Sequence, residues 1–407
     1  MASLVDASVK TLHSGMVGAP SLSGATTGSR IAFLKTLFVT GWGSQNATSV
    51  TVENGICTLN FATAPAVQPG FVATVAGCTD PLLNGDQRIL TQTPTTLSFR
   101  TAADNSTQTT GASAKFAPLG WLQPFTSSSS QVAFRMPSAV GSQNFILFTD
   151  NATSYIRAQG YEAMTSLSVG TQAFPTDAQV AATGVYWHMQ YTPSGAAVPW
   201  VLIGDERGFY FLVQTYFQSG ATYANYTAYV FTDVNSLRTN DPRACYITGH
   251  NTTTYSAAGV NCGLMTRQQG YSWLARPNTG VGGSVPAMTI SSSNNIAIAA
   301  QWSGGPNSGF GNYPNLTDNS LQLGDFLVVE NPAVAASQTI RGLLPGVAFA
   351  SQPLANAFNS FDVVPAATTG PYKDRTIMGF KVEQPQYQSS TVNSPGCTFF
   401  DITGPWR

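Results

Sequence analysis

The side chains with the reach to do chemistry are few and scattered. His13, His188 and His250 stand far apart, and no His-x-His, His-Glu-x-x-His or Gly-x-Ser-x-Gly occurs. A histidine acts as a base or a ligand only beside a partner group, so packed or surface histidines are expected. Asp205-Glu206 is the one adjacent carboxylate pair. Two carboxylates flanking a glycosidic bond can cleave it, but this pair lies in a stretch with the composition of a hairpin loop. Asp233, Asp241, Asp325, Asp362 and Asp401 stand singly, mostly at expected strand ends, where Asp favours turns. The cysteines, Cys57, Cys78, Cys245, Cys262 and Cys397, are odd in number and widely spaced, with no CxxC. A zinc site wants ligands in close pairs, so buried thiols are the expectation, with a Cys57–Cys78 bridge left open. Gly280–Gly283 lacks the Lys-Ser/Thr and the strand-to-helix setting of a phosphate loop. Trp273, Trp302, Phe310 and Tyr313 read as loop aromatics that could stack on sugar rings, or anchor their loops to the body. The reading is of a chain with no catalytic residues, no metal and no cofactor.

The elements around these residues are short and β-like. Residues 1–29 are small, polar and Gly-rich, and read as an extended arm lying on a neighbouring subunit or partly disordered. His13, Met16, Pro20 and Leu22 are its candidate assembly contacts. Ile31, Leu34, Leu37 and Phe38 then share one helical face, with Ser29 placed to cap the start and Gly41 to end it. Asn54-Gly55 between Ser49–Glu53 and Ile56–Phe61 predicts a hairpin, because both turn positions tolerate positive φ. Strands follow at 71–76, 87–93, 96–101 and 112–116, with a turn at 81–86. Further strands are expected at 144–149, 185–190, 226–232, 287–290, 296–301, 323–329 and 377–382. Pro199–Ile203 and Phe209–Val213 bracket an expected five-residue loop, Gly204–Gly208. Stretches 276–286 and 303–316 read as long surface loops.

The predicted architecture is mainly β. An arm with a short helix (1–47) leads into a small β-barrel or sandwich module (48–118). A larger antiparallel β-sandwich (119–407) follows and could divide further.

Composition bounds the function. Hydrophobic residues make up 43% of the 407, enough for a large core. Charged residues make up 9%, against roughly a quarter in typical soluble domains. Thr, Ser, Gly, Asn and Gln replace them, which suits a surface buried against other subunits, or alternatively a secreted β protein. The net charge of −1, with Lys and Arg scattered, gives no basic stripe for nucleic acid. No apolar run is long enough for a membrane span, and the first residues lack a signal-peptide pattern, so synthesis in a cytoplasm is expected. Sequons at Asn46, Asn105, Asn151, Asn225, Asn251 and Asn315 arise readily by chance in a chain this rich in Ser and Thr.

Several stretches together resemble a family of uncharacterised virion proteins of tailed bacteriophages and prophages of Gram-negative bacteria. They are His13–Gly24, Gly160–Thr165 with Phe174-Pro175-Thr176, Trp200–Asp205 with Phe209-Tyr210, Ile340–Gly346, and Phe400–Arg407. In order, they span nearly the whole chain. Residues 60–101 also resemble a small β module of phage tail and adhesin proteins, through Leu83-Asn84-Gly85-Asp86-Gln87-Arg88. That module often carries His-Gly where this chain has Gln68-Pro69-Gly70, so no histidine role transfers.

The resemblance implies a virion component with no known catalytic residues and leaves tail, baseplate and capsid open; the expectation taken here is a non-enzymatic structural subunit of the tail or baseplate region, made in the bacterial host cytoplasm. Its partners would be other copies of itself and other virion proteins. The alternatives are a capsid decoration protein, a host-glycan-binding adhesin, and, furthest from the motifs, a glycan-degrading enzyme. On this reading the module projects as a spacer, the sandwich forms the main interface, and deleting 1–25 leaves a folded monomer that no longer assembles.

Overall fold

The helical face of Ile31, Leu34, Leu37 and Phe38 is buried, and the helix forms where its spacing predicts. Ser29–Lys35 is α-helical, Thr36–Thr40 widens into a π turn, and Gly41 ends it at φ +65°, its N–H donating to Thr36 O at 2.8 Å. A side chain at Gly41 would meet Phe116 O at 2.2 Å, so only glycine fits. Ser29 does not cap. Its hydroxyl donates back to Thr26 O, while Asp150, 120 residues away, accepts the Arg30 N–H at 3.0 Å. A tertiary contact has taken the role of the local cap.

The protein, seen here in a computed structural model, is described at residues 5–23, 26–109, 111–127, 130–180, 184–189, 197–214, 226–239, 241, 243–253, 264, 271–290, 312–330, 338–354, 357–364, 370, 372–382 and 397–407. It is mainly β with antiparallel sheets, as the sequence predicts.

The hairpin at Asn54-Gly55 joins Trp42–Glu53 to Ile56–Phe61, with φ of 51° and 75° at the two turn residues. Trp42–Glu53 is twelve residues long and pairs with three strands. Its first half meets Ser113–Phe116, its second half Ile56–Phe61 and Ser106–Gln108. Val72–Ala76 and Gly85–Arg88 extend one side of this module, Thr96–Arg100 and Thr91–Gln92 the other.

The body is organised by a long sheet in the order Lys10–His13, Trp200–Asp205, Gly208–Val213, Thr227–Asp233, Cys245–Thr248, Ser272–Leu274, Val285–Ile290, Leu323–Glu330, Thr339–Ala350, Thr398–Asp401, Ile377–Phe380 and Val363–Val364. Its early strands are covered on both faces, which is why Trp200–Asp205, Gly208–Val213 and Thr227–Asp233 read as continuous apolar runs instead of alternating. On one face Trp200, Leu202, Phe209, Phe211, Tyr229 and Phe231 join a core shared with the helix, the module and a second sheet. On the other, Val201, Ile203, Tyr210, Leu212 and Val230 pack against Phe326, Val347, Phe400 and Trp406 of the sheet's later strands. The sheet therefore curls over onto itself.

The second sheet runs Leu122–Thr126, Gln131–Arg135, Phe145–Thr149, Tyr155–Ser166 and Val169–Phe174, with Val185–His188 paired to Tyr155–Ser166. Phe134 stacks on Phe38 at 4.6 Å and Trp187 on Tyr229 at 5.0 Å, so the helix and the long sheet meet across one aromatic layer.

One local expectation changes. The loop after Ile203 is not five residues: Gly204 pairs with Phe209 and Asp205 with Gly208, leaving a two-residue turn at Glu206-Arg207. Gly204 and Gly208 look like loop residues but are strand residues at close approaches; a Cβ on Gly208 would lie 2.0 Å from Thr232 Oγ1. The strand expected at 296–301 lies outside the described residues.

Candidate functional site

The first segment is not a free arm. Lys10–His13 pairs antiparallel with Trp200–Asp205, Lys10 opposite Gly204 and His13 opposite Val201, while Leu22–Ser23 pairs with Ala197–Val198. Of the four candidate assembly contacts, Met16 and Leu22 are buried in the chain's own core. Pro20 O accepts from Trp200 Nε1 at 3.1 Å. His13 lies half-buried between Phe71 and Phe361, ring centroids 5.8 and 5.0 Å away, and burial lowers its pKa. These four residues make contacts within the chain. Small polar neighbours hide the segment's apolar residues in the sequence, and their periodicity appears only beside the strand they cover.

Arg88, the last residue of the Leu-Asn-Gly-x-x-Arg stretch, ties this segment down. Its guanidinium donates to the carbonyls of Asp6 at 2.7 Å, Val9 at 3.1 Å, Gly70 at 2.6 Å, Ile402 at 3.2 Å and Thr403 at 3.0 Å. One side chain thus joins the module to both the first and the last described segments. Burial pulls its pKa down, opposed by Asp6 and Asp401.

Much of the scarce charge is spent inside. Arg30 and Asp150 pair at 2.5 Å with both side chains fully buried. Arg341 bridges Asp241 at 2.6 Å and Glu330 at 2.9 Å and donates to Arg276 O, while Arg276 clasps Glu162 of the second sheet with both arms of its guanidinium. Arg407 holds Asp205 at 2.5 Å, and Arg207 holds Asp233 at 3.1 Å. Asp205 of the adjacent acidic pair therefore accepts the Arg207 N–H of its own turn and pairs with the distant Arg407, whereas Glu206 is exposed. Asp362 accepts the Asn359 N–H in a turn at 2.7 Å. Asp325 and Asp401 line one shallow cleft.

His188 and His250, far apart in the sequence, stack edge to face at 4.5 Å. Burial pulls the His188 pKa down to about 4 and that of His250 well below the usual range, the neighbouring His188 adding to the effect. The rings of Tyr155 and Tyr229 stand beside them. Both imidazoles are neutral at pH 7. Cys57, Cys78, Cys245 and Cys397 are buried free thiols, Cys57 pushed up to about 12 by burial and by Cys78; Cys262 lies outside the described residues. Among the described residues no group of three His, Cys, Asp or Glu is placed to hold a metal ion, and no helix is long and apolar enough to cross a membrane.

Of the loop aromatics, Trp273 is 1% exposed on the central strand Ser272–Leu274 and cannot reach a sugar. The flanking Gly- and Pro-rich sequence makes it look like a loop residue, but its strand is short and internal. Tyr313 is half-buried against Phe358, ring centroids 5.2 Å apart, and anchors its own segment. Trp302 and Phe310 lie outside the described residues.

The chain matches no protein-family model and no curated protein sequence.

Proposed function

We propose that the protein is a non-enzymatic structural component of a tailed-phage virion, in the tail or baseplate region, working through contacts with copies of itself and other virion proteins. The observation that carries this reading is the disposition of charge. The chain has few ionisable groups, and many of its arginines are paired inside, leaving exposed strand faces such as Ser44, Asn46 and Thr48 polar but uncharged. Covering uncharged polar groups with another protein costs far less desolvation than covering charged ones, and interface cores are depleted of charge.

The contacts are between faces rather than sheet edges. The edge strand Leu122–Thr126 carries Pro124 and a register shift between Leu122 and Phe125. The opposite edge, Val169–Phe174, has Gln172 at φ +53° and pairs across a shift between Met164 and Ser166. Bulges and proline blunt an edge against strand addition. The first segment is held in the chain's own sheet, so the role of a reaching arm falls away.

Sedimentation velocity across a range of protein concentrations tests the reading. Concentration-dependent oligomers that persist in high salt support association through uncharged faces; a monomer at every concentration, which also fails to bind the other proteins of the particle, rejects it. A capsid decoration protein would act through the same kind of surface at another place in the particle. The adhesin reading loses Trp273 as a stacking platform.

A further inference from the structure

Asp325, on Leu323–Glu330, and Asp401, at the end of Thr398–Asp401, stand alone in the sequence but line one cleft of about 160 Å³ with Asn235, Tyr372, Arg375 and Trp406. At roughly 30 Å³ per water this is the volume of about five waters, room for one small ring and not for a polymer segment.

The polar groups are of both kinds, and their commitments differ. Asp401 Oδ1 is spent on the closing turn, accepting from Thr403 N–H at 2.9 Å, Thr403 Oγ1 at 2.6 Å and Gly404 N–H at 3.1 Å. Asp401 Oδ2 lies 3.4 Å from Arg375 Nη1. That separation neutralises charge without making a hydrogen bond, and Nη1 is buried with no acceptor. The guanidinium as a whole is 26% exposed, so its other N–H groups can meet an oxygen placed in the cleft. Across the cleft, Tyr372 donates its hydroxyl to Asp325 Oδ1 at 3.0 Å, which fixes an exposed carboxylate and leaves its other oxygen able to accept. Trp406 is buried with its N–H given to Asp401 O, so it forms floor instead of a stacking face.

The formal charge of the lining, two carboxylates against one guanidinium, disfavours an anion, and Arg375 disfavours a cation. A neutral ligand with neighbouring hydroxyls satisfies both sides: one hydroxyl donates to Asp325, and the next accepts from Arg375. The geometry points to a binding site for a single neutral hexose ring, held by Asp325, Tyr372 and Arg375. This goes beyond an assembly role and stands or falls separately from it.

Saturation-transfer NMR on the full chain tests it, with D-glucose, D-galactose and D-mannose as probes and D-glucuronate as the charged control. At least one neutral hexose is expected to give a saturable signal, with D-glucuronate at least tenfold weaker. Asp325→Asn and Arg375→Met should each weaken the hexose at least tenfold, and Tyr372→Phe by a smaller factor. The exposed position of Asp325 makes Asp325→Asn the variant least able to disturb folding, checked by an unchanged melting temperature. No saturable hexose signal, a preference for glucuronate, or an unchanged signal in a folded Asp325→Asn variant would overturn the site. Sedimentation of the same samples reads association independently.

Discussion

Arg88 Nη2 lies 3.0 Å from the carbonyl of Thr403, 315 residues further along the chain, while the same guanidinium holds the carbonyls of Asp6 and Val9. The module, the first described segment and the last are fastened by one side chain. A module fastened in this way acts as part of the body rather than as a projecting spacer.

Replacing Arg88 by Ala removes a guanidinium that donates to five converging carbonyls. Hydrogen bonds to charged groups are worth about 1.5–3 kcal/mol each, so a loss of at least 3 kcal/mol is expected in urea unfolding. Arg88→Lys should recover little of it, because a single ammonium cannot reach carbonyls on three segments. A loss below 1 kcal/mol for Arg88→Ala would show that the tie is dispensable.

The first segment behaves as core. Leu12→Ala and Leu22→Ala should each cost about 2–5 kcal/mol, as large-to-small core substitutions do. Thermal unfolding by circular dichroism would read this, and a near-zero effect would return the segment to the status of a loose arm. Deleting residues 1–25 should likewise destabilise the monomer, since it uncovers Trp200 and strips the strand partner from Trp200–Asp205.

Arg30 and Asp150 test the cost of buried charge. Removing one partner leaves an uncompensated ion, so Arg30→Met should cost about 3–5 kcal/mol. The double variant Arg30→Met with Asp150→Leu should be less damaging than the single, a coupling that a double-mutant cycle measures directly. Strict additivity would show that the two side chains do not depend on each other.

Acid should loosen the fold through the histidine pair. The folded pKa of His188 is depressed to about 4, so the unfolded chain binds the proton first as pH falls below its ordinary value of 6.5. Stability is whole above pH 6.5 and declines as pH falls toward 4, by about 3 kcal/mol from His188 at 1.36 kcal/mol per pKa unit. His250 is depressed too and acts in the same direction. Urea midpoints between pH 7 and pH 4 should fall for the wild type and less steeply for His188→Asn; equal slopes would remove the pair as the cause.

The elements governed by local chemistry are legible in the sequence: the Asn54-Gly55 hairpin, the helix face of Ile31 to Phe38, and the apolar strands around Phe209 and Val230. Elements decided by distant partners are not. Thr339–Ala350 runs for twelve residues despite Gly342, Pro345 and Gly346, because Gly342 lets the backbone of Asn235 approach and Gly346 makes room for the Trp406 ring. Tyr155–Ser166 mixes polar and apolar residues because part of it lies over the aromatic core and part is exposed near the sheet's edge. The cleft of Asp325, Tyr372, Arg375 and Asp401 is built from residues dispersed between 235 and 406. No spacing rule could have joined them, and only the strand order brings them together.

The most direct test of the central claim is quantitative mass spectrometry of phage particles purified on a density gradient from a host carrying this gene. The chain should appear in the particle fraction at a fixed copy number that survives high-salt washing. Its absence from particles, with the protein recovered only free in the lysate, would rule out a virion role.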